Sequence, residues 1–153
     1  TLIGPASIGD VSRKGGMKPL QRRLPGMSPA DLAALHRVNL HHLMISDLAK
    51  IDALALKVQV MNTAQARFNS PKFAKNRMVL DAVRQLRQPV QVIYGDQDGP
   101  ALPDVASKSA LFFAENSAVR FDLVANCGHW LAFEQPEIFH DLLIAWVRDC
   151  SLG

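Results

Sequence analysis

Only two cysteines, Cys127 and Cys150, occur in 153 residues. That is too few for a disulfide-held scaffold and fits two free thiols in a reducing compartment. No stretch approaches the roughly 20 apolar residues that a membrane helix needs. The amino terminus has no charged segment leading into an apolar core and a cleavage site. The expectation is therefore a cytoplasmic protein with no membrane partner. Charge of one sign is scarce as well: 17 basic against 14 acidic residues leave a formal net charge of +3, too small and too scattered for a nucleic-acid partner. The densest basic run, Arg13 to Arg23, is broken by Gly15, Gly16 and Pro19 and reads as a solvated loop. His36, His41 and His42 lack the spacing that sets two rings on one helix face. No metal and no cofactor is expected.

What remains is ordinary for a folded domain, with 48% hydrophobic and 20% charged residues in a chain long enough to bury a real core. The chain opens on Thr1-Leu2-Ile3-Gly4-Pro5, a strand-like pulse into a turn with no leading segment, as if cut from a larger protein. A glycine-rich, basic connection follows to Gly26. Ser28-Pro29-Ala30-Asp31 then predicts a capped helix start, and Leu32, Leu35, Val38 and Leu43 continue it. A second helix, opening near Asp47 to Asp52, is expected to bury Ile51, Leu54, Val58, Met61 and Phe68 before Pro71. A third, Arg77 to Arg87, carries Leu80, Val83 and Leu86 and stops at Pro89. Beyond Pro89 strands and helices alternate. Val90 to Tyr94 and Val119 to Val124 read as strands, and Asp104 to Glu115 and Pro136 to Arg148 as helices, a pattern that implies a parallel sheet.

Parallel strands one crossover apart deliver their carboxyl ends to one sheet edge, where open α/β sheets place their sites. The first strand runs into Gly95-Asp96-Gln97-Asp98 and the second into Asn126-Cys127-Gly128-His129-Trp130. Asp98 and His129 are thus candidates to meet. A carboxylate beside an imidazole fixes its tautomer and steadies the imidazolium formed when the ring takes a nucleophile's proton.

The stretch Pro89 to Asp98 resembles the strand of α/β-hydrolases that ends in a Gly-x-x-Asp turn bearing the triad acid. Gly128-His129-Trp130, followed by Glu134-Gln135-Pro136-Glu137, resembles the family's histidine loop entering its last helix. Leu2-Ile3-Gly4-Pro5 is similar to the end of the sixth strand, and the helices between Ser28 and Arg87 to the cap. The resemblance implies a partial α/β-hydrolase fold: a short parallel sheet edge of about three strands with flanking helices. It divides the chain into carboxy-terminal core (1–9 and 89–153) and helical cap (10–88). It implies a hydrolase acting on a small, largely apolar ester or related carbonyl substrate, with His129 as general base and then acid and Asp98 as its orienter. Trp130, Met61 and Phe68 are candidates to line an apolar pocket, with core packing an equal reading for Met61 and Phe68.

One part of that family's pattern is missing. No Gly-x-Ser-x-Gly elbow occurs in the chain, so the nucleophile, expected to be serine, is placed outside it. Ser7, with glycines three before and two after, reads as a turn serine. Asp10, just past the putative sixth-strand position, is the alternative acid. Asp96 reads as a turn cap, Cys127 as a buried structural thiol and His140 as a structural residue of the last helix. The rival expectation is a non-catalytic fragment or remnant that self-associates or needs a complementing amino-terminal half to complete its sheet.

Overall fold

The computed structural model describes residues 1–9, 16–67 and 72–151. Three parallel strands form one sheet in the order β1-β2-β3: β1 (Leu2–Ile3), β2 (Gln91–Gly95) and β3 (Arg120–Val124). Leu2 pairs with Val92 and Ile3 with Ile93, while Gln91 to Gly95 pair in step with Arg120 to Val124. All five residues of β2 are buried, as a strand covered on both faces must be. Val92 and Tyr94 point into one core cluster with Leu80, Val83, Phe112 and Val119. Ile93 points into another with Val124, Cys127, Leu131 and Phe139. The period-2 alternation of a strand thus divides β2 between two layers. The one polar member, Gln91, is fully buried but satisfied by Thr1 Oγ1 at 2.9 Å and Asp122 Oδ2 at 2.7 Å.

Helix α1 (Pro29–Leu43) starts where the cap signature places it, with Ser28 Oγ accepting from the Asp31 amide at 3.1 Å. A 3-10 turn (Leu48–Lys50) leads to α2 (Ala53–Gln65), capped by Asp52 through the Ala55 amide at 2.8 Å. The buried face here keeps Ile51, as expected, with Val58 half-buried, but is otherwise turned from the expected one. Leu54 and Met61 are about half exposed, and the buried stripe is Ile51, Ala55 and Gln59. The reason is steric: small Ala55 lets α2 lie close on α1, joining Leu40, Ile45 and Ile51 in a third cluster, and rotating the helix to bury Leu54 would remove that contact. Phe68 and Pro71 lie outside the described residues.

Helix α3 (Met78–Gln85) buries Leu80 and Val83. Leu86 is exposed because the chain has already turned extended there. Within residues 10–88, α3 packs with the sheet, in the cluster of Val92 and Tyr94, whereas α1 and α2 pack on each other. The next helix, α4 (Lys108–Glu115), begins later than Asp104, because Asp98 caps a separate 3-10 turn (Gly99–Ala101) and turns intervene. After β3 come the single-turn α5 (Leu131–Glu134) and α6 (Pro136–Ser151). Of the apolar residues of α6, Phe139 is buried and Leu142 and Leu143 are partly buried against the sheet, while Ile138 and Val147 are exposed. A sheet of three strands offers only a narrow face to cover. Among the described residues no helix is long and apolar enough to cross a membrane.

Candidate active site

At the carboxyl end of β2 the chain turns back on itself, with the Asp98 amide bonded to the Gly95 carbonyl at 3.2 Å. The turn is also tied sideways to the loop that follows β3. The Asp96 amide donates to Val124 O at 2.9 Å, the Gln97 amide to Cys127 O at 3.0 Å, and Asp96 Oδ1 accepts from the Cys127 amide at 3.2 Å. Asp96 therefore caps the neighbouring loop, a role that its own turn does not announce. These bonds carry the β2-β3 pairing past the strand ends and set the two loops at fixed separation.

That separation brings Asp98 and His129 together. Asp98 Oδ2 lies 2.8 Å from His129 Nδ1, and Oδ1 accepts from the Ala101 amide at 3.1 Å. The carboxylate is 1% exposed and the ring 28% exposed. An ionised carboxylate only accepts, so the pairing puts the proton on Nδ1 and leaves Nε2 with its lone pair. Among the described residues nothing bonds to Nε2, which is thus free to take and return a proton.

Two glycines make room for the pair. Gly4, directly after β1, has φ +50°, and a Cβ there would lie 2.8 Å from His129 Nδ1 and Cε1 and 3.0 Å from Asp98 Oδ2. Only a residue without a side chain lets the backbone pass this close to the ring. On the other side, a Cβ on Gly128 would stand 2.6 Å from Met44 O and 2.9 Å from the Ser46 amide. The histidine loop is therefore pressed against the connection that leaves α1, and the Trp130 amide donates to Met44 O at 2.8 Å. Beneath the dyad, the Tyr94 hydroxyl donates to Pro5 O. Burial, with a smaller contribution from the Asp98 carboxylate, raises the energy of its ionised form and keeps it protonated.

Trp130 is half-buried in the α1-α2 cluster, edge-on to Phe133 with ring centroids 6.0 Å apart. Met61 is 49% exposed on α2. Phe68 and Asp10 lie outside the described residues. Ser7 has φ 60° and its hydroxyl donates to Phe73 O at 2.9 Å, as a turn serine does. Cys127 is fully buried, and burial, followed by the neighbouring Glu134 carboxylate, pushes its thiol up to about 12. It is a protonated packing group at neutral pH. His36 is buried on α1, His42 Nδ1 faces Pro19 O at 2.8 Å, and His140 is exposed on α6. Among the described residues no three metal-ligating side chains converge.

Sequence reasoning passed over two residues of this site. Gly4 stands in a Gly-Pro turn that any loop could contain. Glu134 was seen only as a motif letter; it is fully buried and receives four hydrogen bonds.

No known family profile and no curated protein matches the chain. Solved structures do. A candidate aryl esterase from Burkholderia cenocepacia superposes with a TM-score of 0.63 at 22% identity, over 86% of this chain and 47% of the other. A meta-cleavage product hydrolase superposes with a TM-score of 0.54 at 19% identity, over 81% of this chain and 48% of the other. Both are α/β-hydrolases, and the chain spans about half the length of each. The fold is thus part of the α/β-hydrolase fold.

Proposed function

We propose that the chain supplies the general base and the orienting acid of a hydrolase acting on a small, largely apolar ester or a related carbonyl compound, including a carbon–carbon bond next to a carbonyl. His129 Nε2 takes the proton of a nucleophilic hydroxyl as it attacks the carbonyl carbon, and the imidazolium then returns that proton to the leaving group. Asp98 holds Nδ1–H throughout and steadies the positive ring. The nucleophile, a serine, comes from outside these residues. The chemistry needs neither metal nor cofactor. In this reading α1 and α2 belong to the cap, and Trp130, Met61 and Phe68 contribute to the apolar pocket.

The observation that carries the reading is the 2.8 Å contact between a buried carboxylate and a ring whose second nitrogen is unengaged. The substrate class is supported by the names of the two structural neighbours, an esterase and a meta-cleavage product hydrolase. The test is hydrolysis of chromogenic short-chain aryl esters by the full-length protein. His129→Ala and Asp98→Asn are each expected to lower kcat on the order of 10⁴-fold. Wild-type rates in His129→Ala would refute the proposal, and full activity in Asp98→Asn alone would move the acid role to Asp10.

A second reading is favoured by β1. Among the described residues this two-residue strand is paired on one side only, and Ile3 is 47% exposed. Unpaired strand edges invite another chain. The chain would then be a non-catalytic piece that self-associates or completes its sheet with an amino-terminal half. Sedimentation of the 153-residue polypeptide tests the open edge: a monodisperse monomer that melts cooperatively counts against self-association.

A further inference from the structure

A fully buried carboxylate is costly unless its surroundings satisfy it, and Glu134 is satisfied from outside its own helix. Oε1 accepts from Ser46 Oγ at 2.5 Å and from the Asp47 amide at 2.7 Å. Oε2 accepts from the Gly128 amide at 2.7 Å and from the Ser46 amide at 3.2 Å. The donors come from two places: the amide of Gly128, the residue before His129, and the connection between α1 and α2. The Glu134 backbone joins the same assembly, because Lys50 Nζ donates to its carbonyl. On the far side of His129 the Trp130 amide is bonded to Met44 O. The histidine is bracketed, with residues 44–47 bound to the amide before it through Glu134 and to the amide after it directly.

We propose that Glu134 is a positioning residue for His129, holding its backbone in register with Asp98 and making that register depend on the placement of residues 44–47. This rests on His129 being the proton-transfer group. The geometry gives the reason. Asp98 is fixed by its own turn, so the 2.8 Å bond to Nδ1 requires the ring to be delivered from a backbone that does not drift. The Gly128 amide is one of the two anchors that flank that ring, and Glu134 is its acceptor. Packing alone would be served as well by an apolar side chain of similar size.

The test uses the signature of the dyad itself, the downfield proton resonance of His129 Nδ1–H in ¹⁵N-labelled protein, identified by its loss in Asp98→Asn. Glu134→Gln keeps the volume and one acceptor but sets an NH2 against amide donors. It is expected to abolish or broaden the resonance and, in the full-length protein, to lower kcat by roughly 10- to 100-fold, the range for misplacement of a catalytic group by a fraction of an ångström to 1 Å, with KM within about twofold. Ser46→Ala removes one of the four donors and is expected to shift the resonance while leaving it present. An unchanged resonance in Glu134→Gln, even with a lowered melting temperature, would reduce Glu134 to a structural residue. Should that variant fail to fold, an unchanged resonance in Ser46→Ala overturns the proposal in its place. A wild-type protein lacking the resonance would instead count against the dyad and so against the function proposed above.

Discussion

Gly4→Ala is the sharpest perturbation of the site, because it touches neither member of the dyad chemically. Two separate costs are added. A φ of +50° is disfavoured for an L-residue by about 1–2 kcal/mol. The new methyl would also stand 2.8 Å from the His129 ring and 3.0 Å from Asp98 Oδ2, closer than carbon atoms tolerate, so the ring must swing away. The Asp98 carboxylate, 1% exposed, then loses its partner on Oδ2, which costs about 1–3 kcal/mol for a buried acceptor. The sum is on the order of 2–5 kcal/mol, or a fall of roughly 5–15 °C in melting temperature for a chain of this size. Gly26→Ala is the control: φ is +79° there, but a Cβ meets nothing within 4 Å, so only the backbone cost applies. The assays are thermal or urea unfolding together with the His129 Nδ1–H resonance. Gly4→Ala should lose both stability and the resonance, whereas Gly26→Ala should lose only some stability. A Gly4→Ala protein that melts with the wild type and retains the resonance would refute the claim that the ring is seated against residue 4.

Three further outcomes come from the rest of the structure. Cys127 is buried and Cys150 exposed, so a thiol reagent at pH 8 should label one site at once and the second only on unfolding; rapid labelling of both would contradict the burial. Because burial and Glu134 lift the Cys127 thiol from its ordinary 9.0 to about 12, the unfolded chain releases that proton first. The associated stability is therefore complete below about pH 9 and is lost as the pH climbs toward 12, a slope that Cys127→Ala should flatten in urea titrations. Asp52→Ala removes the side-chain cap of α2 and should cost about 1 kcal/mol, read as a lower urea midpoint with an unchanged m-value.

The legible parts of the chain were those whose causes are local. The β-branched run at Val90 to Tyr94, the turn to Asp98 and the loop to His129 are each written in consecutive residues, and parallel order follows from the helix between them. Ser28 likewise announces its helix, and α2 starts at the end of the expected Asp47 to Asp52 opening. The face of α2 was misread because periodicity counts large apolar residues, and the contact that orients this helix is made by Ala55, whose value lies in its small size. The roles of Gly4 and Glu134 were illegible for another reason. Gly4 matters because of a ring far along the chain, and the Glu134 carboxylate because of donors at Ser46 and Asp47, 88 and 87 positions away. No short window of sequence contains Gly4 with its ring or Glu134 with Ser46 and Asp47; only the Gly128 amide lies near Glu134, six positions away.

The pairing of Leu2 with Val92 has a consequence for the order of assembly. The β2-β3 pairing closes a loop of modest length and brings Asp98 and His129 to one edge. The short amino-terminal strand gains its partner only after some ninety intervening residues have been gathered in, a closure that is entropically expensive and slow. During synthesis the segment carrying Gly4 is made well before β2 and waits for it. The wall against which the imidazole rests is therefore set after the edge that carries Asp98 and His129, and until then the Leu2–Ile3 segment is open to pairing with a foreign strand.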